Sequence, residues 1–367
     1  MKILYVSTST DRGGAEKALH DLVLAARTVG YDVKIISLKP IGAVGLRLQA
    51  EGFEVESFNV TDKSSAVQTA GALARLIKEI QNFQPDIVHA LLYRAIQLCR
   101  QAKKHANFKL ITTPHYDLSK KNYFLRLWDR GLKNADDVSC AESQQTADFL
   151  LDKQKYSTDK LKIVYNGVDA SYFAPDKESR TQMREKLGFT DENTVFCCVA
   201  RLSPEKNHDV LLHAFSWVHA KNPSARLLLV GEGPEKEKLF NLAQQNNLAK
   251  EVIFVGEVED TKPYLQTADV FVLPSKTESL PLALLEAGAC GLPSIVSKAG
   301  DMPRVVVHGE TGFVFGGTDA ALLGMLMAEL LQNVNLRQNM GKKARTRTKE
   351  KYPPSEPKYL EIYKKLK

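Results

Sequence analysis

Lys2-Ile3-Leu4-Tyr5-Val6-Ser7, then the turn Asp11-Arg12-Gly13-Gly14, then Ala15 to Thr28 is the stretch that decides the architecture. Its first part is a short apolar run of strand length. Its last part repeats apolar residues at helical spacing, with Ala18, Leu19, Leu22, Val23 and Ala26 on one face. Between them lies a glycine turn, so the order is strand, glycine loop, helix. Asp32 to Leu38 repeats the strand signal. Ala66 to Gln81 reads as a helix that leads through Gln84-Pro85-Asp86 into the buried-type strand Ile87-Val88-His89-Ala90. Strands that alternate with helices imply a parallel sheet covered on both faces.

The alternation restarts after Asn166-Gly167-Val168-Asp169, where a hinge is expected. Strands are predicted at Thr194 to Ala200, Arg226 to Val230, Val252 to Val255, Asp269 to Leu273 and Ser294 to Ser297. Helices are predicted at Asp209 to Lys221, Glu235 to Asn246 and Pro281 to Cys290. The expectation is an α/β chain with two doubly wound halves, residues 1–168 and 169–350. A basic helical tail from Asn339 to Lys367 is broken at Tyr352-Pro353-Pro354 and resumed by Tyr359, Leu360, Ile362 and Tyr363, so that 351–367 is expected as a helix that returns to the first half. At 367 residues the chain is long enough for two cores.

Composition narrows the class. Apolar residues make up 44% and charged residues 25%, the balance of an ordinary folded protein and not of a disordered or fibrous one. The five cysteines, Cys99, Cys140, Cys197, Cys198 and Cys290, lack zinc-ligand spacing and read as reduced core residues. The opening residues are too short an apolar run for a signal peptide, and no eighteen apolar residues run together, so a cytoplasmic location is expected.

Two carboxylates frame Glu278-Ser279-Leu280-Pro281-Leu282-Ala283-Leu284-Leu285-Glu286. Pro281 is suited to a helix start, and Gly291 with Pro293 closes the helix. Glu278 then falls in the loop and Glu286 inside the helix. The amides of Ser279, Leu280 and Leu282 are expected as unpaired donors that, with the helix dipole, suit a diphosphate or sugar hydroxyls. Two arbitrary glutamates would simply be solvated. The context is Arg201-Leu202-Ser203-Pro204-Glu205-Lys206, directly after a predicted strand and therefore at the sheet edge where open α/β folds bind ligands. Arg201 and Lys206 there could stabilise the charge of a leaving diphosphate. No Asp-x-Asp pair occurs, which argues against a metal-dependent sugar transferase, so no metal and no cofactor are expected. Dinucleotide and P-loop glycine motifs are also missing.

Arg201 with Lys206, Glu278 with Glu286, Asn166-Gly167-Val168-Asp169, Val230-Gly231-Glu232-Gly233 and Gly309-Glu310-Thr311-Gly312-Phe313 together resemble the family 4 retaining glycosyltransferases of the GT-B fold. The resemblance covers the whole chain and is strongest from Ile163 to Phe315. It implies two Rossmann-like domains with the donor cleft between them, an acceptor-binding first domain and a donor-binding second domain. It also implies that Glu278 contacts the transferred sugar, Glu286 the ribose, and Arg201 and Lys206 the diphosphate. Gly256-Glu257-Val258 matches the strand end whose main chain holds the base, which brings in Val258. Gly13 and Gly14 match the loop that closes over the phosphates. His115, in Thr112-Thr113-Pro114-His115-Tyr116-Asp117, is similar to the family's histidine that touches the donor sugar, where a lone histidine would otherwise read as structural. Ser279, Leu280, Pro281 and Leu282 complete the implied donor contacts. The implied reaction is a front-face substitution in which the leaving phosphate helps deprotonate the incoming hydroxyl. One departure is Arg304, where the family usually has glutamate; it reads as surface variation.

The formal charge of +7 is concentrated between Arg94 and Lys133. Within that stretch, Tyr123-Phe124-Leu125-Arg126-Leu127-Trp128-Asp129-Arg130-Gly131-Leu132-Lys133 has two readings. It could lie on an anionic bilayer, or it could turn Leu125, Trp128 and Leu132 into the core with its cations solvated. No nucleic-acid module is recognisable, and nucleic acid is not expected as a partner. Family habit implies a UDP-sugar donor, a hexose or N-acetylhexosamine, and a lipid-linked glycan acceptor used in surface polysaccharide assembly by an enzyme peripheral to the inner leaflet. The competing readings are a nucleotide-sugar epimerase and a non-catalytic binding subunit.

Overall fold

The computed structural model describes residues 1–61, 66–115 and 122–367. The chain forms two compact units. One comprises Met1–Asn166 with Ser355–Lys367, and the other Gly167–Pro354.

The first unit runs β1 (Lys2–Ser7), α1 (Gly14–Thr28), β2 (Asp32–Ser37), α2 (Ala43–Ala50), β3 (Glu54–Ser57), α3 (Ala66–Phe83), β4 (Ile87–Leu91), α4 (Tyr93–Ala102), β5 (Lys109–Thr113), α5 (Tyr123–Leu132), β6 (Val138–Ala141), α6 (Gln144–Asp152) and β7 (Leu161–Ile163). These described strands form one parallel sheet in the order β3-β2-β1-β4-β5-β6-β7. Every residue of β1 after Lys2 is buried, because helices cover both faces. Ile3 and Tyr5 face one core with Leu19 and Leu22 of α1. Leu4 and Val6 face the other with Leu76 of α3 and Ile96 of α4. Strand order reverses direction between β1 and β4, the switch point of a doubly wound fold.

The second unit continues with α7 (Lys177–Lys186), β8 (Thr194–Val199), α8 (His208–Lys221), β9 (Ala225–Val230), α9 (Lys236–Gln245), β10 (Val252–Gly256), α10 (Lys262–Thr267), β11 (Val270–Leu273), α11 (Leu282–Ala289), β12 (Ser294–Ser297), α12 (Met302–Val305), β13 (Gly312–Phe315), α13 (Ala320–Gln332) and α14 (Val334–Lys351). Its parallel sheet has the order β10-β9-β8-β11-β12-β13, with the switch point between β8 and β11. The last helix, α15 (Glu356–Leu366), belongs to the first unit, where Tyr359 and Tyr363 join the core of Ile3, Tyr5 and Leu19. All five cysteines are free and buried. Among the described residues no helix is long and apolar enough to cross a membrane.

Helix α5 forms where expected but does not pack as core. Phe124 is 79% exposed and Trp128 54%, Tyr123, Leu125 and Leu127 are exposed too, and Leu132 is half-buried. The core-facing reading of Leu125 and Trp128 is therefore wrong. The one buried residue of α5 is Asp129. Its carboxylate accepts from Nη1 of Arg100 at 2.7 Å and from the Gln97 amide at 2.7 Å. Arg100 is buried, and its Nε and Nη2 also reach Asp136 at 2.7 and 2.6 Å. The helix is held by an ionic anchor instead of an apolar face, which leaves its aromatics outside. The basic stretch is correspondingly less basic at the surface. Arg100 is interior, Lys103 pairs with Asp137, and Lys133 donates to the carbonyls of Gln154 and Lys155. Lys120 and Lys121 of that stretch lie outside the described residues, as do Tyr116 and Asp117.

Candidate functional site

The switch point of the second sheet sets the site, because the chain leaves β8 toward Arg201–Lys206 and leaves β11 toward Ser275–Glu278. These two strands are neighbours, so residues 72 apart in sequence meet: Nζ of Lys206 donates to Oε1 of Glu278 at 2.6 Å. The Ser275 hydroxyl donates to the same oxygen at 2.7 Å. The Lys276 amide donates to the Glu205 carbonyl at 2.8 Å and ties the two loops together.

Asn207 locks this arrangement. It is buried in a left-handed conformation at the end of the turn Pro204–Lys206. Its side-chain amide donates to the carbonyls of Pro274 at 3.1 Å and Gly317 at 2.6 Å. Sequence reading did not select Asn207, although an asparagine is a residue that tolerates this backbone and can bond locally. Arg201 is exposed on the same loop. The Glu205 carboxyl lies below its usual range. Burial raises it, but the Ser203 hydroxyl, its backbone partner and the charges of Lys206 and Arg201 outweigh that. Hydrogen bonds first, and the cations of the loop after them, keep this acid ionised.

The motif Val230-Gly231-Glu232-Gly233 has a backbone task here. A Cβ on Gly231 would lie 2.2 Å from the Ala200 carbonyl oxygen, and one on Gly233 2.3 Å from that of Leu202. The motif therefore packs directly on the loop carrying Arg201, and the Leu202 amide donates to the Glu232 carbonyl at 2.9 Å. Gly300 does the same for the Glu278 loop. It sits at φ +56 with the carbonyl oxygens of Ser279 and Glu278 at 2.4 and 2.5 Å from where a Cβ would be. Asp301 donates its amide to Ser279 at 2.8 Å. Arg304 is exposed at the end of this segment, with Nε 3.7 Å from Asp301.

Helix α11 begins one residue later than expected. Pro281 takes the N-cap position in an extended conformation, and the helix proper starts at Leu282. Leu280 is buried, and Ser279 and Leu280 already hold interactions, so they are not the bare donors expected from the sequence. The chain there packs against the Gly300 segment, where the Ser279 carbonyl accepts from the Asp301 amide at 2.8 Å. Glu286 is buried and accepts from the Thr261 hydroxyl at 2.9 Å. It is not a solvated surface glutamate. Thr261 follows Gly256-Glu257-Val258 at the end of β10, which links the half-buried Val258 segment to Glu286.

In the first unit the carboxyl edges of β1 and β5 carry the remaining candidates. Gly13 is the N-cap of α1, and Gly14 opens it. A Cβ on Gly13 would meet Oε2 of Glu16 at 2.5 Å, so that carboxyl folds back over the turn. Burial raises its pKa against hydrogen bonds from its own backbone and Ser9. His115 follows β5 with φ +52. Its Nε2 is buried without a hydrogen-bond partner among the described residues, and burial pushes the imidazole down to about 4. A neutral ring with one unanswered nitrogen suits a hydroxyl partner.

Two family profiles divide the chain. Glycosyltransferase Family 4 matches residues 12–172, and Glycosyl transferases group 1 matches residues 179–347. A GDP-mannose-dependent alpha-(1-6)-phosphatidylinositol monomannoside mannosyltransferase of Mycolicibacterium smegmatis is 35% identical over 184 residues, 48% of either chain. The match thus spans about half the length of that relative. The N-acetyl-alpha-D-glucosaminyl L-malate synthase of Bacillus anthracis is 28% identical, covering 77% of this chain and 74% of that protein. Among solved structures, Anabaena HepE in complex with UDP superimposes with a TM-score of 0.87 at 22% identity, covering 100% of this chain and 99% of the other.

Proposed function

The chain belongs to glycosyltransferase family 4, and on that premise we propose that it moves a hexose or N-acetylhexosamine from a UDP-sugar to a lipid-linked glycan acceptor, with retention at the anomeric carbon. The bond from the anomeric carbon to the β-phosphate oxygen breaks, and a bond to the acceptor oxygen forms on the same face. The acceptor's proton passes to the leaving nucleoside diphosphate, so no enzymic nucleophile is required.

The observation that carries this reading is the Lys206–Glu278 pair at the switch point. A cation and an acid held 2.6 Å apart on neighbouring strand ends can divide one donor between them. Lys206, with Arg201, takes the diphosphate and stabilises its growing charge without a metal. Glu278 accepts hydrogen bonds from sugar hydroxyls. Glu286, oriented by Thr261, accepts from the ribose, and the main chain around Val258 takes the base. The N-terminus of α11, with Ser279, Leu280, Pro281 and Leu282, flanks the sugar and phosphate. In the first unit, neutral His115 contacts the donor sugar, and Gly13 and Gly14 serve the phosphates.

UDP is the nucleotide in the Anabaena complex, whereas the name of the Mycolicibacterium smegmatis relative specifies GDP-mannose. The test therefore offers UDP-glucose, UDP-N-acetylglucosamine and GDP-mannose with lipid-linked acceptors, and measures nucleoside diphosphate release together with product mass. Release that depends on acceptor is expected. Donor inversion without transfer would indicate an epimerase, and binding without turnover a silent subunit.

The exposed Tyr123, Phe124, Leu125, Leu127 and Trp128, with exposed Arg130, support attachment to an anionic membrane surface from the cytosol, where a lipid-linked acceptor would be met. Flotation with phosphatidylglycerol vesicles should show salt-sensitive binding that Phe124→Glu abolishes. Equal recovery on neutral and anionic vesicles would remove this part of the reading.

A further inference from the structure

The first unit contains a buried polar chain that the proposed chemistry does not use, and it ends beside His115. Its origin is α15. The hydroxyl of Tyr5 donates to that of Tyr363 at 3.3 Å, and the Tyr363 hydroxyl lies 2.6 Å from Nδ1 of His89. Nε2 of His89 lies 2.8 Å from Oγ1 of Thr113, which is also 3.4 Å from the Tyr359 hydroxyl. Tyr5, His89, Thr113, Tyr359 and Tyr363 are all buried. The Tyr5 hydroxyl also reaches the Leu22 carbonyl at 3.4 Å, so its single hydrogen has two acceptors, and either neutral tautomer of His89 satisfies both ring nitrogens, one donating and one accepting. Burial, with a smaller effect from His115, pushes His89 down to about 3, so the ring stays neutral.

Thr113 is the last residue of β5, and Pro114 alone separates it from His115. His115 has a left-handed backbone, which is uncommon for a residue with a side chain although histidine adopts it more readily than most. The Thr113 carbonyl is fixed as well, accepting from the Leu92 amide at 3.2 Å. Both polar groups at the root of the His115 turn are therefore tied, one to the neighbouring strand and one to the Tyr363–His89 chain. The tip, Nε2 of His115, is buried with no partner among the described residues. A side chain held rigid at its root and unanswered at its tip is built to meet a ligand group.

We propose that Tyr363, acting through His89 and Thr113, is a positioning residue for His115, so that α15 sets the aim of an imidazole that follows β5. This rests on the reading of His115 as a donor-sugar contact. It adds that a hydroxyl 248 positions away controls where the ring points.

The test uses the full chain with Tyr363→Phe, which deletes one buried hydroxyl at nearly constant volume, and Thr113→Val, which cuts the last link. Both should melt cooperatively. With whichever of UDP-glucose or GDP-mannose the wild type consumes, each variant should lower kcat/KM roughly tenfold, within the about hundredfold cost of an ångström's misplacement. In a His115→Ala background, Tyr363→Phe should change kcat/KM by less than about twofold, because residues acting through one group are not additive. An equal loss in both backgrounds, or none in the wild-type background, overturns the proposal. A second measurement does not depend on turnover. Histidine ring signals of the full chain, with His115 identified by its loss in His115→Ala, should shift at His115 in Tyr363→Phe and in Thr113→Val. Unmoved His115 signals overturn the proposal, whereas a wild type that consumes no nucleotide sugar overturns the transferase reading alone.

Discussion

Replacing Lys206 by alanine separates its two tasks, pairing with Glu278 and holding the diphosphate. Two unit charges about 4 Å apart attract by about 4 kcal/mol at an effective dielectric of about 20. The Lys206 side chain is 21% exposed and that of Glu278 9%, so solvent screens part of this attraction, and Glu278 keeps the Ser275 hydroxyl. About 1–2 kcal/mol of stability should be lost. That corresponds to a melting temperature lower by about 2–8 °C for a unit of this size. The transition-state loss is larger. Removing a preoriented positive group beside the leaving diphosphate costs about 10²–10³ in kcat, or roughly 3–4 kcal/mol. Nucleoside diphosphate release at 25 °C, well below the melt, reads the second quantity, and the melting curve reads the first. UDP should also raise the melting temperature of the variant less than that of the wild type. If release stays within about threefold of wild type, or if Lys206→Ala combined with Glu278→Gln restores it, Lys206 only neutralises Glu278 and the argument from the pair fails.

Gly300→Ala should destabilise the second unit by about 2 kcal/mol or more, since φ +56 is costly for alanine and its Cβ would press on the Glu278 and Ser279 carbonyls. Calorimetry together with UDP affinity checks both consequences, and unchanged affinity would mean that the Glu278 loop does not depend on that support. Glu286→Ala should raise the donor KM about ten- to hundredfold with little change in kcat, because a charged hydrogen bond to a remote ribose stabilises ground and transition states alike. An equal fall in kcat would assign Glu286 to the reacting sugar. In acid, His89 at about 3, with His115 and His208 at about 4, stay neutral while their unfolded counterparts protonate near 6.5. The unfolded state therefore binds more protons in that window, so stability should fall as pH drops from about 6.5 toward 4. A melting temperature flat from pH 7 to 4.5 would contradict these burials.

The sheets were legible because their strands are buried on both faces and read as unbroken apolar runs such as Ile3 to Val6 and Val195 to Cys198. The meeting of Lys206 with Glu278 was legible indirectly, through the rule that ligand sites gather at strand ends beside a switch point. The side on which α5 turns its aromatics was not. Trp128 and Leu125 have the same helical spacing whether they face a core or solvent, and only the Arg100–Asp129 pair, 29 residues apart, decides it. Asn207, Thr261 and Gly300 also escaped, since each acts through a contact with a segment remote in sequence. The link between His89 and Tyr363, 274 residues apart, appears only when α15 is seen against β4.

The membership of α15 in the first unit bears on how the molecule comes off the ribosome. The second unit is contiguous and can close as soon as Pro354 has emerged. The first unit, begun earlier, still lacks Tyr359 and Tyr363 at that moment, and its half-built core must wait until those residues have been made. Newborn chains stalled before residue 359 should therefore expose a sticky apolar face and recruit chaperones, a demand that chains carrying α15 would not make.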